Sequence, residues 1–206
     1  LAHLNAKQRE AAQHRDGPLL IIAGAGTGKT ATLTHRILNL IKEGVAPESI
    51  LAITFTNKAA REMNERVARL LEKHGFSVGL RYGDARPWIG TFHSLGVYIL
   101  RAHAEVFGLT KHFSILDKNG ARTLLKEAIK AEGIDPKQFP PDRIGNMISR
   151  EKGKLVTIEE YRAQAGNSYI PLIVAGVWKR YEDLLKREKA LDFDDLILKT
   201  VILFRN

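Results

Sequence analysis

The chain has 206 residues, 44% of them hydrophobic and 27% charged, with a formal net charge of +9 and no cysteine. That length suits one ordinary domain or one domain carrying an insert, and the lack of cysteine excludes disulfides and thiolate metal sites. No apolar run is long enough to cross a bilayer, no signal-peptide pattern opens the chain, and a cytoplasmic, globular protein is expected.

The positive balance suits a polyanionic partner, usually nucleic acid. It is spread along the chain, and no Lys/Arg block marks a disordered tail. The first residue is Leu1 rather than Met, and residues 193–206 run as an apolar-periodic helix with no capping signal. Both ends therefore read as cuts in a longer chain.

Residues 18–23 (PLLIIA) form a short apolar run before a glycine-rich turn and predict a buried parallel strand. A helix follows over 28–42, with Leu33, Ile37, Leu40 and Ile41 on one face and Gly44 and Pro47 behind it. Residues 50–54 predict a second strand. A second helix over 57–73 carries Ala60, Met63, Val67, Leu70 and Leu71 at helical spacing. Residues 88–91 predict a third strand and 94–106 a third helix. Strands alternating with helices are the grammar of a parallel sheet covered on both faces.

The pattern changes after about residue 113. Helices are predicted over 118–131, 141–151, 157–165 and 169–187, with no alternating strands between them. Thr157 and Glu160 have capping-box spacing, and Gly133, Pro136, Pro140, Pro141 and Gly153 punctuate the joints. This shift predicts a helical subdomain inserted into an α/β domain.

Residues Ala23-Gly24-Ala25-Gly26-Thr27-Gly28-Lys29-Thr30 follow a predicted strand and open a predicted helix, the context a P-loop requires. The strict motif begins with Gly, and Ala23 fits its relaxed form. Gly24, Gly26 and Gly28 let backbone N–H groups turn inward as an anion-binding nest, to which the helix N-terminus adds its dipole. Lys29 is placed to reach the β and γ phosphates of ATP, and the Thr30 hydroxyl to hold Mg²⁺. The bland alternative is a glycine-rich turn with no ligand. Kinases, GTPases and motors share this loop, so it does not say what the energy drives.

Four further segments narrow the choice: Leu4-Asn5-Ala6-Lys7-Gln8; residues 53–63 (ITFTNKAAREM); Gly90-Thr91-Phe92-His93-Ser94; and Leu191-Asp192-Phe193-Asp194-Asp195-Leu196. With the P-loop, and in this order, they resemble the UvrD/PcrA/Rep-type DNA helicases of superfamily 1 over essentially the whole chain. The resemblance implies a RecA-like P-loop NTPase sheet, partial here, with an all-helical insert. Its expected boundaries are 1–110 for the first part of the RecA-like domain, 111–190 for the helical subdomain and 191–206 for the return, ending before the Walker B motif.

The resemblance also assigns roles. Gln8 matches an adenine-reading glutamine, whose amide can pair with a donor and an acceptor on the base; alone it would read as an exposed helical residue. Phe55, Thr56, Asn57 and Lys58 match a single-strand contact, the ring for stacking and the polar groups for phosphates. The alternatives are that Asn57 caps the helix and that Phe55 is core. Thr91, Phe92 and His93 match a second DNA-facing motif, although a lone His is more often a structural hydrogen-bonder, and no ligand spacing makes His93 a metal site. Phe193 matches a stacking aromatic. Asp192 reads as an N-cap with Asp195 at the third helical position. Asp194-Asp195 is not a Walker B pair, since residues 186–190 (KREKA) cannot be a buried strand.

Relatives often carry Arg after the P-loop Thr, where this chain has Ala31. The implied function is an ATP-dependent DNA helicase moving 3′ to 5′ on single strands and acting at single-strand/duplex junctions, in repair or replication, with ATP and Mg²⁺. It would need a second RecA-like domain from the rest of its own chain, so these residues alone are expected to be inactive. The rivals are the motor of a helicase–nuclease and a non-catalytic ATP-gated DNA-binding subunit.

Overall fold

Every helix expected from apolar periodicity forms, because each carries an apolar stripe that a neighbouring element can bury. The computed structural model describes residues 4–76 and 86–205. By contact the chain divides into two compact units, the first ending at Phe92 and the second beginning at His93. The fold is mixed α/β, mostly helical, with small parallel sheets.

The first unit contains α1 (Ala6–Gln13), α2 (Lys29–Lys42), β1 (Leu51–Thr54), α3 (Asn57–Lys73) and β2 (Trp88–Thr91). β1 and β2 pair in parallel from Leu51 against Trp88 to Thr54 against Thr91. The apolar faces of α2 and α3 meet in a core of Ile37, Leu38, Ile41, Met63, Val67 and Leu71, with Ala52 and Ile89 of the strands packed against it. Gly44 closes α2 with φ +90°, a value that an L side chain rarely adopts.

One expectation and one alternative fail here. Residues 18–23 are not a strand: Leu20 is 82% and Ile22 90% exposed, and among the described residues the sheet of this unit has only β1 and β2. Apolar composition signals burial, but a strand also needs a neighbour to take its N–H and C=O groups. The cap of α3 is Thr56, not Asn57. Its backbone is extended and its hydroxyl accepts from the Ala59 N–H at 3.1 Å, which leaves Asn57 as the first helical residue.

The second unit holds α4 (Phe92–Ala102, whose first residue closes the first unit), β3 (Ser114–Ile115), α5 (Lys118–Ala131), α6 (Pro141–Gly153), α7 (Ile158–Ala165), α8 (Tyr169–Arg187), β4 (Ala190–Leu191) and α9 (Phe193–Arg205). The helix expected over 94–106 is shorter, giving way to a 3₁₀ turn at Ala104–Phe107. Leu125, Ile129, Ile144, Ile148, Val177 and Trp178 lie in one core, and Leu100, Phe113, Leu191 and Leu196 in another. The capping box of α7 forms as the spacing predicts.

β3 and β4 pair in parallel, Ser114 with Ala190 and Ile115 with Leu191, so the helical segment leaves and returns side by side. Two-residue strands carry no readable periodicity, which is why they were not expected. Gly96 of α4 lets α9 come close: a Cβ there would stand 2.4 Å from the Leu196 carbonyl oxygen. Among the described residues no helix is long and apolar enough to cross a membrane.

Candidate nucleotide and nucleic-acid sites

In the first unit the turn before α2 is made possible by glycine. Gly26 and Gly28 have φ of +74° and +87°, and a Cβ on Gly28 would stand 2.7 Å from the Gln8 amide nitrogen. Gly28 is the N-cap of α2 and supplies no side-chain acceptor to the first turn. Lys29 folds over the turn, its ammonium donating to the carbonyls of Ala23 (3.0 Å) and Gly24 (2.6 Å). The Thr27 hydroxyl donates to Gly24 O at 2.8 Å, Ala25 is exposed, and Thr30 is half-buried in the first turn of α2.

Gln8 is tied to this turn. Asn5 and Gln8 form the capping box of α1, with the Gln8 amide oxygen accepting from the Asn5 N–H at 3.0 Å. The Gln8 amide nitrogen donates to Thr27 O at 2.9 Å. Arg36 of α2 donates to the carbonyls of Ala11 and His14, holding the other end of α1. A primary amide has two donors and can accept twice, so one donor and one acceptor position of Gln8 remain for a ligand.

The Phe55 ring is 90% exposed in the link between β1 and α3, and Phe92 is 47% exposed immediately after β2. Their centroids lie 5.7 Å apart with the planes tilted by 46°. Neither ring is core. Parallel pairing of the two strands brings them together, since each follows the last paired residue of its strand by one position. Asn57 and Lys58 are exposed on the first turn of α3. Thr91 differs: it is buried at 6% exposure beside Thr54, whose hydroxyl donates to Thr56 O at 3.1 Å.

In the second unit His93 lies against Phe193, centroids 5.1 Å apart, with Phe193 54% exposed. The helix start beneath Phe193 is a closed network. Asp192 Oδ1 accepts from the Asp195 N–H at 2.8 Å, and Asp195 Oδ2 faces the Asp192 N–H at 3.4 Å. The other two carboxylate oxygens take the ammonium of Lys152, at 3.0 Å and 2.9 Å. Glu182 pairs with the same ammonium at 2.7 Å, and the Tyr181 hydroxyl donates to Asp192 at 3.1 Å.

Lys152 is 1% exposed. Burial works against its charge, but the carboxylates of Asp195, Glu182 and Asp192 outweigh that and hold its pKa well above the ordinary lysine value. Burial, with help from Asp192, also raises the Tyr181 phenol. Asp194 lies higher than an ordinary Asp through burial, offset in part by a hydrogen bond with Ser149.

The capping expected of Asp192 and Asp195 is present; the cation it serves was missed. A signal existed. Ile144, Ile148 and Lys152 are spaced four apart on α6 and all are buried, so Lys152 continues an apolar stripe where no unpaired charge belongs.

A family model described as "UvrD/REP helicase N-terminal domain" matches residues 4–206. The chain is 46% identical over 205 residues to a protein of Leuconostoc citreum named ATP-dependent DNA helicase PcrA. It is 44% identical to proteins of the same name from Staphylococcus aureus and Staphylococcus epidermidis, over 207 and 203 residues. These alignments cover 98–99% of the chain but only 26–27% of the relatives, so it spans about a quarter of their length.

Proposed function

Because the chain belongs to the UvrD/REP helicase N-terminal domain family, we propose that it is the ATP-binding, strand-gripping front part of a DNA helicase motor that moves 3′ to 5′ on single strands and works at single-strand/duplex junctions. The observation that carries this reading is the pair of exposed rings, Phe55 and Phe92, in the same unit as the glycine turn of Lys29. A nucleotide turn alone would suit many enzymes. Exposed aromatics one residue beyond two paired parallel strands suit a ligand with flat apolar faces, and stacking tolerates every base, as a motor stepping along any sequence requires.

On this reading the sheet is RecA-like, and residues 1–110 and 191–206 belong to the ATP-binding domain with 111–190 as its helical insert. The amides of Gly24 to Lys29 cradle the phosphates and Lys29 exchanges its carbonyl partners for phosphate oxygens. Glycine φ values open to anions at the start of α2 fit such a group. The Thr30 hydroxyl, in the first helical turn, would supply one ligand to Mg²⁺, which would neutralise phosphate charge. Gln8 reads adenine with its spare donor and acceptor. Phe55, Phe92, His93 and Phe193 stack with bases, while Thr56, Asn57 and Lys58 hold phosphates; Thr91 supports its neighbours from within.

Hydrolysis needs a carboxylate to orient and activate water and arginines to stabilise charge, which we assign to a Walker B pair and a second RecA-like domain outside these 206 residues. Asp195 is not available for that work, being held by Lys152. The chain by itself should therefore release phosphate negligibly. The site of action is the cytoplasm. The test is Lys29→Ala in the intact gene product. ATP hydrolysis and unwinding should be lost while the melting temperature stays unchanged, and wild-type turnover in a folded variant would refute the phosphate-site assignment.

A further inference from the structure

We propose that Lys152 is a positioning residue for single-strand binding: its buried ammonium clamps the start of α9 so that the Phe193 ring is held out, beside His93, in a stacking orientation. This rests on the proposed reading of Phe193 as a base-stacking surface.

The geometry is a division of labour between oxygens. Asp192 and Asp195 flank Phe193, and each spends one oxygen on the other's backbone N–H and the other oxygen on Lys152. The turn that contains Phe193 is thus closed on itself and pinned to α6 by one group. An ammonium has three protons, and here three carboxylates, those of Glu182, Asp192 and Asp195, lie within 3.0 Å of it. They come from α8 and from the start of α9, so three helices meet at one nitrogen. The Phe193 backbone has little freedom left, yet its ring is 54% exposed.

Stability alone does not account for this arrangement. Taking one ammonium and the Asp192 and Asp195 carboxylates out of water is costly, and an apolar side chain in line with Ile144 and Ile148 would commonly serve the fold as well. What a charge cluster adds is direction: hydrogen bonds fix the angle of a helix start where apolar packing tolerates a slide. A ring stacking on successive bases needs that angle. The close approach of α4 and α9 at Gly96 sets the distance between their backbones, and the clamp sets the orientation of the helix start.

The test is a mutant cycle in the intact gene product with Phe193→Ala, Lys152→Met and the combined variant. Binding is titrated with a single-stranded oligonucleotide carrying 2-aminopurine, whose fluorescence is quenched on stacking, and melting curves are recorded in parallel. Phe193→Ala should weaken binding about tenfold and lower the quenching by the share that this ring contributes. Lys152→Met should do the same, and the combined variant should bind no worse than either. If the two losses multiply, or if Lys152→Met binds and quenches as wild type, Lys152 serves only the fold and the inference fails while the stacking role of Phe193 stands. If Phe193→Ala itself binds as wild type, that role fails and takes the inference with it. Should Lys152→Met not fold, Asp192→Asn decides, since its amide oxygen can still accept from the Asp195 N–H while an amide nitrogen replaces the oxygen that faces Lys152. A loss of about two- to threefold that vanishes in the Phe193→Ala background supports the clamp, and no loss overturns it.

Discussion

The Gln8 amide bridges Asn5 and Thr27, accepting from one backbone at 3.0 Å and donating to the other at 2.9 Å. The residue proposed to read adenine thereby also anchors the turn proposed to hold the phosphates. The two roles separate by nucleotide. Gln8→Ala should weaken ATP binding about fivefold, the worth of one net hydrogen bond, and weaken GTP binding much less. Equal losses for both, in parallel titrations, would reduce Gln8 to a loop anchor.

Gly96 and Gly145 offer a contrast in tolerance. A Cβ on Gly96 meets the Leu196 carbonyl oxygen at 2.4 Å, a backbone atom that cannot swing away. On Gly145 the nearest atom is the end of the Leu125 side chain, at 2.9 Å. Gly96→Ala should destabilise the second unit by about 1–3 kcal/mol, and Gly145→Ala by less. Thermal melting of the two variants checks the order, and equal melting temperatures would contradict it.

Much of this was legible in residue order. The stripe from Ala60 to Leu71 makes α3 legible because a single buried face needs no distant information. The glycine spacing before Lys29 likewise encodes its turn locally. What escaped reading depends on partners far along the chain. Lys152 meets Asp192 across 40 residues, and β3 meets β4 across more than 70. Residues 18–23 have strand composition, yet composition does not supply a neighbouring strand. At Thr56 and Asn57 two capable caps stand side by side, and only backbone geometry chooses between them.

Asp195 should make stability depend on pH. Burial raises its pKa to about 6, and the Glu182 and Asp192 carboxylates add to this against the pull of Lys152 and Lys199. The cluster holds three carboxylates against two ammonium groups, so one negative charge is in excess. In the unfolded chain Asp195 would lose its proton near pH 4. Between that value and pH 6 the folded state binds more protons, and stability falls as pH rises, by at most about 1.4 kcal/mol per pH unit. Above pH 6 this contribution is constant. Melting between pH 4 and 7 should therefore show a slope that Asp195→Asn reduces, Asp194 adding a part of the same sign, whereas an unchanged slope would place the titration elsewhere.

Phe55 gives the sharpest separation of fold from function. At 90% exposure its ring contributes little burial, so Phe55→Ala should change stability by less than about 0.5 kcal/mol. Its 5.7 Å contact with Phe92 is a surface pair, which truncation removes without opening a cavity. If the pair is the base-stacking platform we propose, the same substitution should weaken single-strand binding about tenfold, the lower part of the range for one lost stack. ATP affinity without DNA should not move, since the Lys29 turn draws its hydrogen bonds from other residues. Lys58, exposed on the first turn of α3, tests the phosphate side of the site. Removing one cation that displaces a counterion lowers the salt slope on a single strand by about 0.7. Lys58→Ala should therefore flatten the dependence of log affinity on log salt, while Phe55→Ala should shift the whole line and leave its slope alone. Oligonucleotide titrations at several salt concentrations, run beside melting curves, distinguish these outcomes from a structural role, in which Phe55→Ala would lower melting temperature, ATP affinity and DNA affinity together.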